Sequence, residues 1–307
     1  MTLQEQIRAN RWRTLWLLVL FALLVGALGA ILGFAFNLSL LIVVAVVGFV
    51  YAIFSWLSAG KIVASVTGAK PADRAQYPRL YHVVETVAIA AGLPKAPPIY
   101  VIEDDAPNAF AAGRSPQTAY VAVTTGLLNL MTERELEGVL AHELSHVRNH
   151  DVRLMTLVAV LVGVVALVSD FLLRISIFGG GRRSGGNAGL IAFALGLAAL
   201  IIAPIAAVLI QLAVSRRREY LADASAAEIT NDGEGLALAL RKLQLDTQET
   251  KHAPRAVAHM FIENPLNQAS GLQSSFRSLF DTHPPLDARI ARLEEAGGFH
   301  LAPAQEG

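Results

Sequence analysis

The sequence predicts an α+β domain, a small sheet followed by a metal-bearing helix, joined to an all-α membrane part of four transmembrane helices. Three observations predict it. Ala141-His142-Glu143-Leu144-Ser145-His146 contains H-E-x-x-H, with two histidines at i and i+4. Short apolar runs bounded by proline and glycine precede that motif, as strands do. The 307 residues are 54% hydrophobic and 16% charged, with a mean hydropathy of +0.48. Soluble domains carry about 25% charged residues, so this is the composition of a membrane protein with a soluble part.

The helix around the motif is well marked. Thr132-Glu133-Arg134-Glu135 is a T-x-x-E capping box that sets its start. At about 100° per residue, Leu136, Leu140, Leu144 and Val147 fall in one stripe. The histidines point away from that stripe, and Gly138 keeps their side uncrowded. The expectation is one packed face and one face left for chemistry. One turn apart, His142 and His146 can hold a single zinc ion, Zn2+, one per chain. Neutral imidazoles bind it without cancelling its charge, and Glu143 stands where it can take the proton of a water that zinc acidifies. H-E-x-x-H alone recurs by chance; the capped helix and a suitable third ligand raise it above chance.

His150 lies at i+8 from His142, about 12 Å along a helix axis, against Zn–N bonds of about 2.1 Å. It can return to the metal only through a helix break, usually at glycine, and no glycine follows His146 closely. Glu219 is the better third ligand. Glu219 and Asp223 are again i, i+4, so a second helix can present one carboxylate to zinc while Asp223 braces a histidine through its other ring nitrogen. Taken alone, Glu219 would default to a solvated surface glutamate.

In chain order, residues 1–60 form a polar tail and a first membrane hairpin. Leu15–Phe36 and Leu38–Leu57 are apolar runs with the roughly 20 residues needed to cross about 30 Å of hydrocarbon. Residues 61–153 form the first part of the soluble domain. Pro78–Ala91 reads as a helix with Leu80, Val83, Val84 and Val87 inward, His82 outward and Gly92 as its stop. Ile99–Ile102, Asn108–Ala112 and Ala119–Val123 read as strands. Residues 154–213 form a second membrane hairpin, interrupted by Asp170, Arg174 and the Gly/Arg loop 179–186. Residues 214–307 complete the soluble domain, with Leu236–Leu245 helical.

His252, His259 and His300 have no partner pattern and read as surface histidines. His283 is followed by Pro284-Pro285, which fix the backbone, and Arg289 opens a helix nearby. Two readings stand open: a loop histidine ahead of a helix, which the residues alone favour, or a fixed donor to an oxyanion.

Composition excludes several classes. There are no cysteines, so disulfides, thiolate catalysis and Cys-ligated zinc are out. Net charge is zero, and no nucleic-acid partner is expected. Because His142, His146 and Glu219 must meet at one ion, an even number of membrane crossings must separate them, as a hairpin provides. Most Lys and Arg clusters then fall on the cytoplasmic side; Arg182 and Arg183 dissent. Two other readings compete: a catalytically silent membrane scaffold retaining a zinc site, and a transporter using Asp170.

The chain resembles the HtpX-type membrane zinc metalloproteases, relatives of the CAAX prenyl endoproteases. The matching residues are Gly92–Lys95, Pro107–Pro116, Val121–Leu128, His142–His146, Asn149, Asp151, Glu219–Asp223 and Thr282–Pro285, in order along nearly the full length. The resemblance implies a zincin-like, gluzincin-type fold. His142, His146 and Glu219 would bind zinc, Glu143 would be catalytic base and acid, and Asp223 would brace a ligand. Asn108, Ala109, Phe110, Ala111 and Ala112 would be the edge strand that aligns substrate backbone. His283 would touch the transition state, with Arg289 nearby. It further implies a multi-pass protein of the bacterial inner membrane, cutting misfolded or damaged membrane proteins on the cytoplasmic side, with polypeptides and the lipid bilayer as partners. The Gly/Arg loop 179–186 departs from the family.

Overall fold

A computed structural model describes residues 38–162, 216–246, 260–262 and 284–302, with a few isolated helical positions before residue 38. Most of the span expected at Leu15–Phe36, most of the second hairpin, Asp170, Arg174, the loop 179–186, His252, His259 and His283 lie outside the described residues.

Helix α1, Leu38–Val66, contains the second apolar run and continues nine residues beyond its expected end at Leu57. Among the described residues, taken alone, no helix is long and apolar enough to cross a membrane. A two-residue strand, β1 (Lys70–Pro71), follows, then α2 (Pro78–Ala90) with Leu80, Val83, Val84 and Val87 buried. Proline in the first turn of α2 suits its fixed φ and missing N–H. Gly92 ends the helix at φ 68°, a left-handed conformation that glycine adopts freely.

Strands β2 (Ile99–Ile102), β3 (Ala109–Ala112) and β4 (Tyr120–Thr124) fall within a residue of their expected places. The sheet order is β1-β2-β4-β3. β2 and β4 are parallel; β1 and β3 flank them antiparallel. β3 is therefore an edge strand.

Short α3 (Thr125–Leu130) leads to α4 (Glu133–Arg148), the H-E-x-x-H helix. Both capping-box bonds form: Thr132 Oγ1 accepts from Glu135 N–H, and Glu135 Oε2 accepts from Thr132 N–H at 2.7 Å. Such a cap contributes about 1 kcal/mol. A break at Asn149–His150 separates α4 from α5, residues 151–162. Helices α6 (Arg216–Thr230), α7 (Gly233–Leu245) and α8 (Leu286–Gly297) complete the described domain. The expected divisions at 60/61 and 153/154 both fall inside continuous helices, α1 and α5.

Two cores flank the sheet. One gathers Leu80, Val84, Ala109, Ala111, Val121 and Val123 with Leu136, Leu140, Leu144 and Leu240, between sheet, α2, α4 and α7. The other gathers Phe110, Ala112, Tyr120 and Ala122 with Val63 and Ala64 of α1 and Met155 and Ala159 of α5. The strand alternation thus places odd and even residues of β3 in different cores.

Two expectations about α4 are overturned. The helix has no open face: Gly138 through Val147 are all buried. And Gly138 does not keep space clear for the histidines. A Cβ there would lie 2.7 Å from the backbone nitrogen of Leu236, so its lack of a side chain lets α7 press directly on α4. The chemistry sits in an interior that α6, α7, α8 and β3 jointly enclose.

Candidate metal centre

α4 presents His142 and His146 from successive turns, their ring centroids 4.9 Å apart and their planes perpendicular. α6 brings Glu219 against both. Glu219 Oε2 is 3.6 Å from His142 Nε2, and its Oε1 is 3.7 Å from His146 Nε2. All three residues are at most 3% exposed, and their ligand atoms lie within 4.8 Å of one another. The stretch and the distant glutamate singled out by spacing are therefore together, and His150 is not among them.

The far side of each ring faces a carboxylate. His142 Nδ1 is 2.9 Å from Asp223 Oδ1, and His146 Nδ1 is 3.2 Å from Asp151 Oδ2. Each Nδ1 is thus turned to a carboxylate, which leaves Nε2 as the atom that each ring could offer to an ion beside Glu219. Metal-free, a protonated His142 supplies positive charge beside Glu219, and a metal ion could take that proton's place. Two imidazoles and one carboxylate are a common zinc donor set that leaves a fourth position open. With bonds of about 2.1 Å, tetrahedral ligand atoms stand about 3.4 Å apart, close to the 3.6 and 3.7 Å separations here. The residues fit the metal.

The same convergence shows in His142. Burial and the nearby Arg289 charge push its pKa down, but bonds to Asp223 and Glu219 outweigh them and lift it to about 9. Asp223 is held at about 2: burial raises it, and the Arg289 guanidinium, with His142, lowers it further. Arg289, fully buried in the first turn of α8, donates to Asp223 Oδ2 from Nε at 2.9 Å and to Oδ1 from Nη2 at 2.6 Å. Its Nη2 also lies 3.2 Å from His142 Nδ1. Arg289 thus reaches the centre through Asp223, a role the sequence suggests only by proximity to His283.

Glu143 is 3% exposed, and its Oε2 accepts from Ala111 N–H of β3 at 3.0 Å. That bond ties the residue between the two histidines to the edge strand. Asn108 lies just ahead of β3; its side-chain oxygen accepts from Ala109 N–H at 3.1 Å, and Ala109–Ala112 are wholly buried.

Asp151 is the member that spacing does not assign. On an uninterrupted helix it would point well away from His146. The chain turns at His150, which takes φ 61° without being glycine, and this returns Asp151 to the ring. The helix does break after His146, contrary to expectation, but the break delivers a carboxylate rather than a third imidazole. An acidic residue closely following the second histidine was the available signal.

The profile of peptidase family M48 matches residues 74–297, a span holding every member of this cluster. The chain belongs to peptidase family M48. It is a protease by that membership and by its relatives. It is 42% identical over 291 residues to the protease HtpX homolog of Tropheryma whipplei (strain TW08/27), covering 95% of this chain and 97% of that protein. It is 42% identical over 299 residues to the protease HtpX homolog of Streptococcus gordonii, covering 95% and 99%. The HtpX homolog of Caldanaerobacter subterraneus is likewise 42% identical over 300 residues. Among solved structures, Ste24p of S. mikatae matches with a TM-score of 0.46 at 20% identity, over 94% of this chain and 66% of that one. The resemblance read from the motifs is thus borne out at the level of the M48 family and its HtpX members.

Proposed function

We propose that the chain is a zinc-dependent integral-membrane endopeptidase that hydrolyses peptide bonds of misfolded or damaged membrane proteins. The observation that supports this best is the meeting of His142, His146, Glu219 and Glu143 beside the edge strand β3. His142 Nε2, His146 Nε2 and one Glu219 oxygen would hold the ion. Bound zinc lowers the pKa of water to about 7 and polarises a carbonyl. Asp223 and Asp151 keep both rings in the tautomer that offers Nε2, and Arg289 holds Asp223 ionised. Glu143 accepts the proton of the attacking water at a carboxylate oxygen and delivers it to the leaving amine. Its bond to Ala111 N–H keeps it beside the strand where substrate would lie. Substrate backbone would align along Asn108, Ala109, Phe110, Ala111 and Ala112 as an added strand. His283 would donate to the oxyanion in this reading.

The protease unit would be assembled from 61–153 and 214–307, around membrane hairpins in 1–60 and 154–213, four spans in all. Its catalytic side would face the cytoplasm at a bacterial inner membrane. The apolar runs, the arginine and lysine placement and the need for one-sided ligands support that topology.

The test is metal analysis and hydrolysis of an unfolded model protein by purified wild type and Glu143→Gln. The variant is expected to retain one zinc per chain and wild-type melting while losing at least a hundredfold in kcat, the scale of general acid–base catalysis. Activity surviving in a metal-loaded Glu143→Gln chain would sink the proposal and favour the silent scaffold.

A further inference from the structure

An edge strand that receives a peptide needs outward-facing backbone groups to offer it. Asn108 O accepts from Thr124 N–H, so by alternation the groups of Ala109, Ala111 and Gly113 face away from β4. Four of these outward groups are already engaged from within the chain. Ala109 N–H donates to Asn108 Oδ1, Ala111 N–H to Glu143 Oε2 and Gly113 N–H to Thr156 Oγ1, while Ala109 O accepts from Ile262 N–H at 3.0 Å.

The Ile262 bond differs from the others in kind. It is main chain to main chain, from a segment about 150 residues away, and it is the bond an added strand would make. The side chains agree with that placement. Ile262 enters the core that holds Ala109 and Ala111, and Phe261 enters the core that holds Phe110 and Ala112. Phe261 and Ile262 thus go to opposite faces, as two residues laid along this edge would, while Met260 joins Phe261 in its core and the tripeptide is a bend rather than a regular strand. The Phe261 ring packs edge-on against Phe110, centroids 5.0 Å apart, and Met260, Phe261 and Ile262 are each at most 2% exposed.

From this we infer that Met260-Phe261-Ile262 is an internal occupant of the substrate edge, so that the chain as folded holds its own cleft closed. Substrate enters by exchanging with this tripeptide. The polypeptides that exchange best are extended apolar segments presenting an aromatic side chain to Phe110 where Phe261 sits. The inference rests on the proteolytic reading and adds to it a substrate preference and a built-in restraint. Because substrate competes with an intramolecular segment, the apparent affinity is scaled by the fraction of chains in which the edge is free.

Two variants weaken the occupant by different routes. Phe261→Ala removes the aromatic contact, and Ile262→Pro removes the N–H donor. Each is expected to raise kcat/KM of the full-length, zinc-loaded chain on an unfolded model protein about tenfold, chiefly through a lower KM. Ile262→Ala, which keeps the N–H, should give a smaller gain. A readout independent of catalysis uses the Glu143→Gln chain and a fluorescent peptide copying residues 258–265. Phe261→Ala should tighten its binding about tenfold, and the same peptide with glycine for phenylalanine should not compete. An active wild type whose folded, metal-loaded variants show unchanged or lower kcat/KM would overturn the inference and leave the protease reading standing. If wild type and variants are all inactive, the protease reading fails. Peptide binding then decides occupancy by itself: tighter binding to the variant supports it, and unchanged binding overturns it.

Discussion

The two histidines are held by supports of opposite construction. His146 is braced from five residues away, by Asp151 just beyond the turn that ends α4. His142 is braced from across the chain: Asp223 of α6 meets its Nδ1, and Arg289 of α8, 66 residues beyond Asp223, clamps that carboxylate. One support is built with its own helix end. The other exists only once three helices have docked. The difference teaches that a five-residue motif supplies ligands but not their orientation, and that orientation comes by a short-range and a long-range route.

The long-range arm should be the costlier to break. Arg289→Ala leaves the ionised Asp223 buried without its fork of donors, and removing one partner of a buried pair costs about 3–5 kcal/mol. Chemical denaturation of the metal-stripped chain should show that loss. Asp151→Asn breaks the short arm only. It is expected to weaken zinc binding roughly 10–100-fold, as loss of a carboxylate behind a histidine ligand does, with little change in unfolding of the metal-free chain. A competition titration with a chelator measures it. Equal destabilisation by the two variants would erase the contrast.

The long-range arm also carries a pH signature. His142 of the metal-stripped chain has its pKa lifted to about 9, above the ordinary value of 6.5. Protonated His142 therefore stabilises the fold fully below about pH 6.5, and that contribution is lost as pH rises through about 9. Zinc must displace the same proton, so its affinity should climb about tenfold per pH unit across this window. Asp223→Asn should flatten the slope there. Zinc titrations from pH 6 to 9 test both. The smallest effect expected lies at the far end of α4: Thr132→Ala removes half of the capping box and should lower stability by about 1 kcal/mol, seen in thermal melts, without changing metal affinity.

The features legible in the sequence are local or chemically singular. The capping box, the start and stop of α2, and strands β2 to β4 follow from turn residues and short-range pattern. Glu219 is legible because its i, i+4 spacing with Asp223 lets one helix supply both a ligand and a brace, and because cysteine ligands are absent. The misreadings share one cause, tertiary contact. Gly138 reads as clearance for a site, yet it is where Leu236 of α7 touches down. The break at Asn149–His150 carries neither glycine nor proline, and His150 takes the left-handed φ of 61° that only the structure reveals. Phe261 and Ile262 show no period that would assign them to an edge over a hundred residues upstream. Arg289 is suggested only by its neighbourhood; its partners come from helices that sequence does not align.

Asp151 is also the first residue of α5, which is described over residues 151–162. Along that helix Met155 and Ala159 share a core with Val63 and Ala64 of α1, and the Arg153 guanidinium sits 5.0 Å over the Trp56 ring. The carboxylate behind His146 thus begins a helix that packs against α1 within its first three turns. A metal held at this centre would therefore feel how those helices seat against each other, and the surroundings of α1 and α5, lipid or detergent, would become part of the reagent list for any preparation of the enzyme.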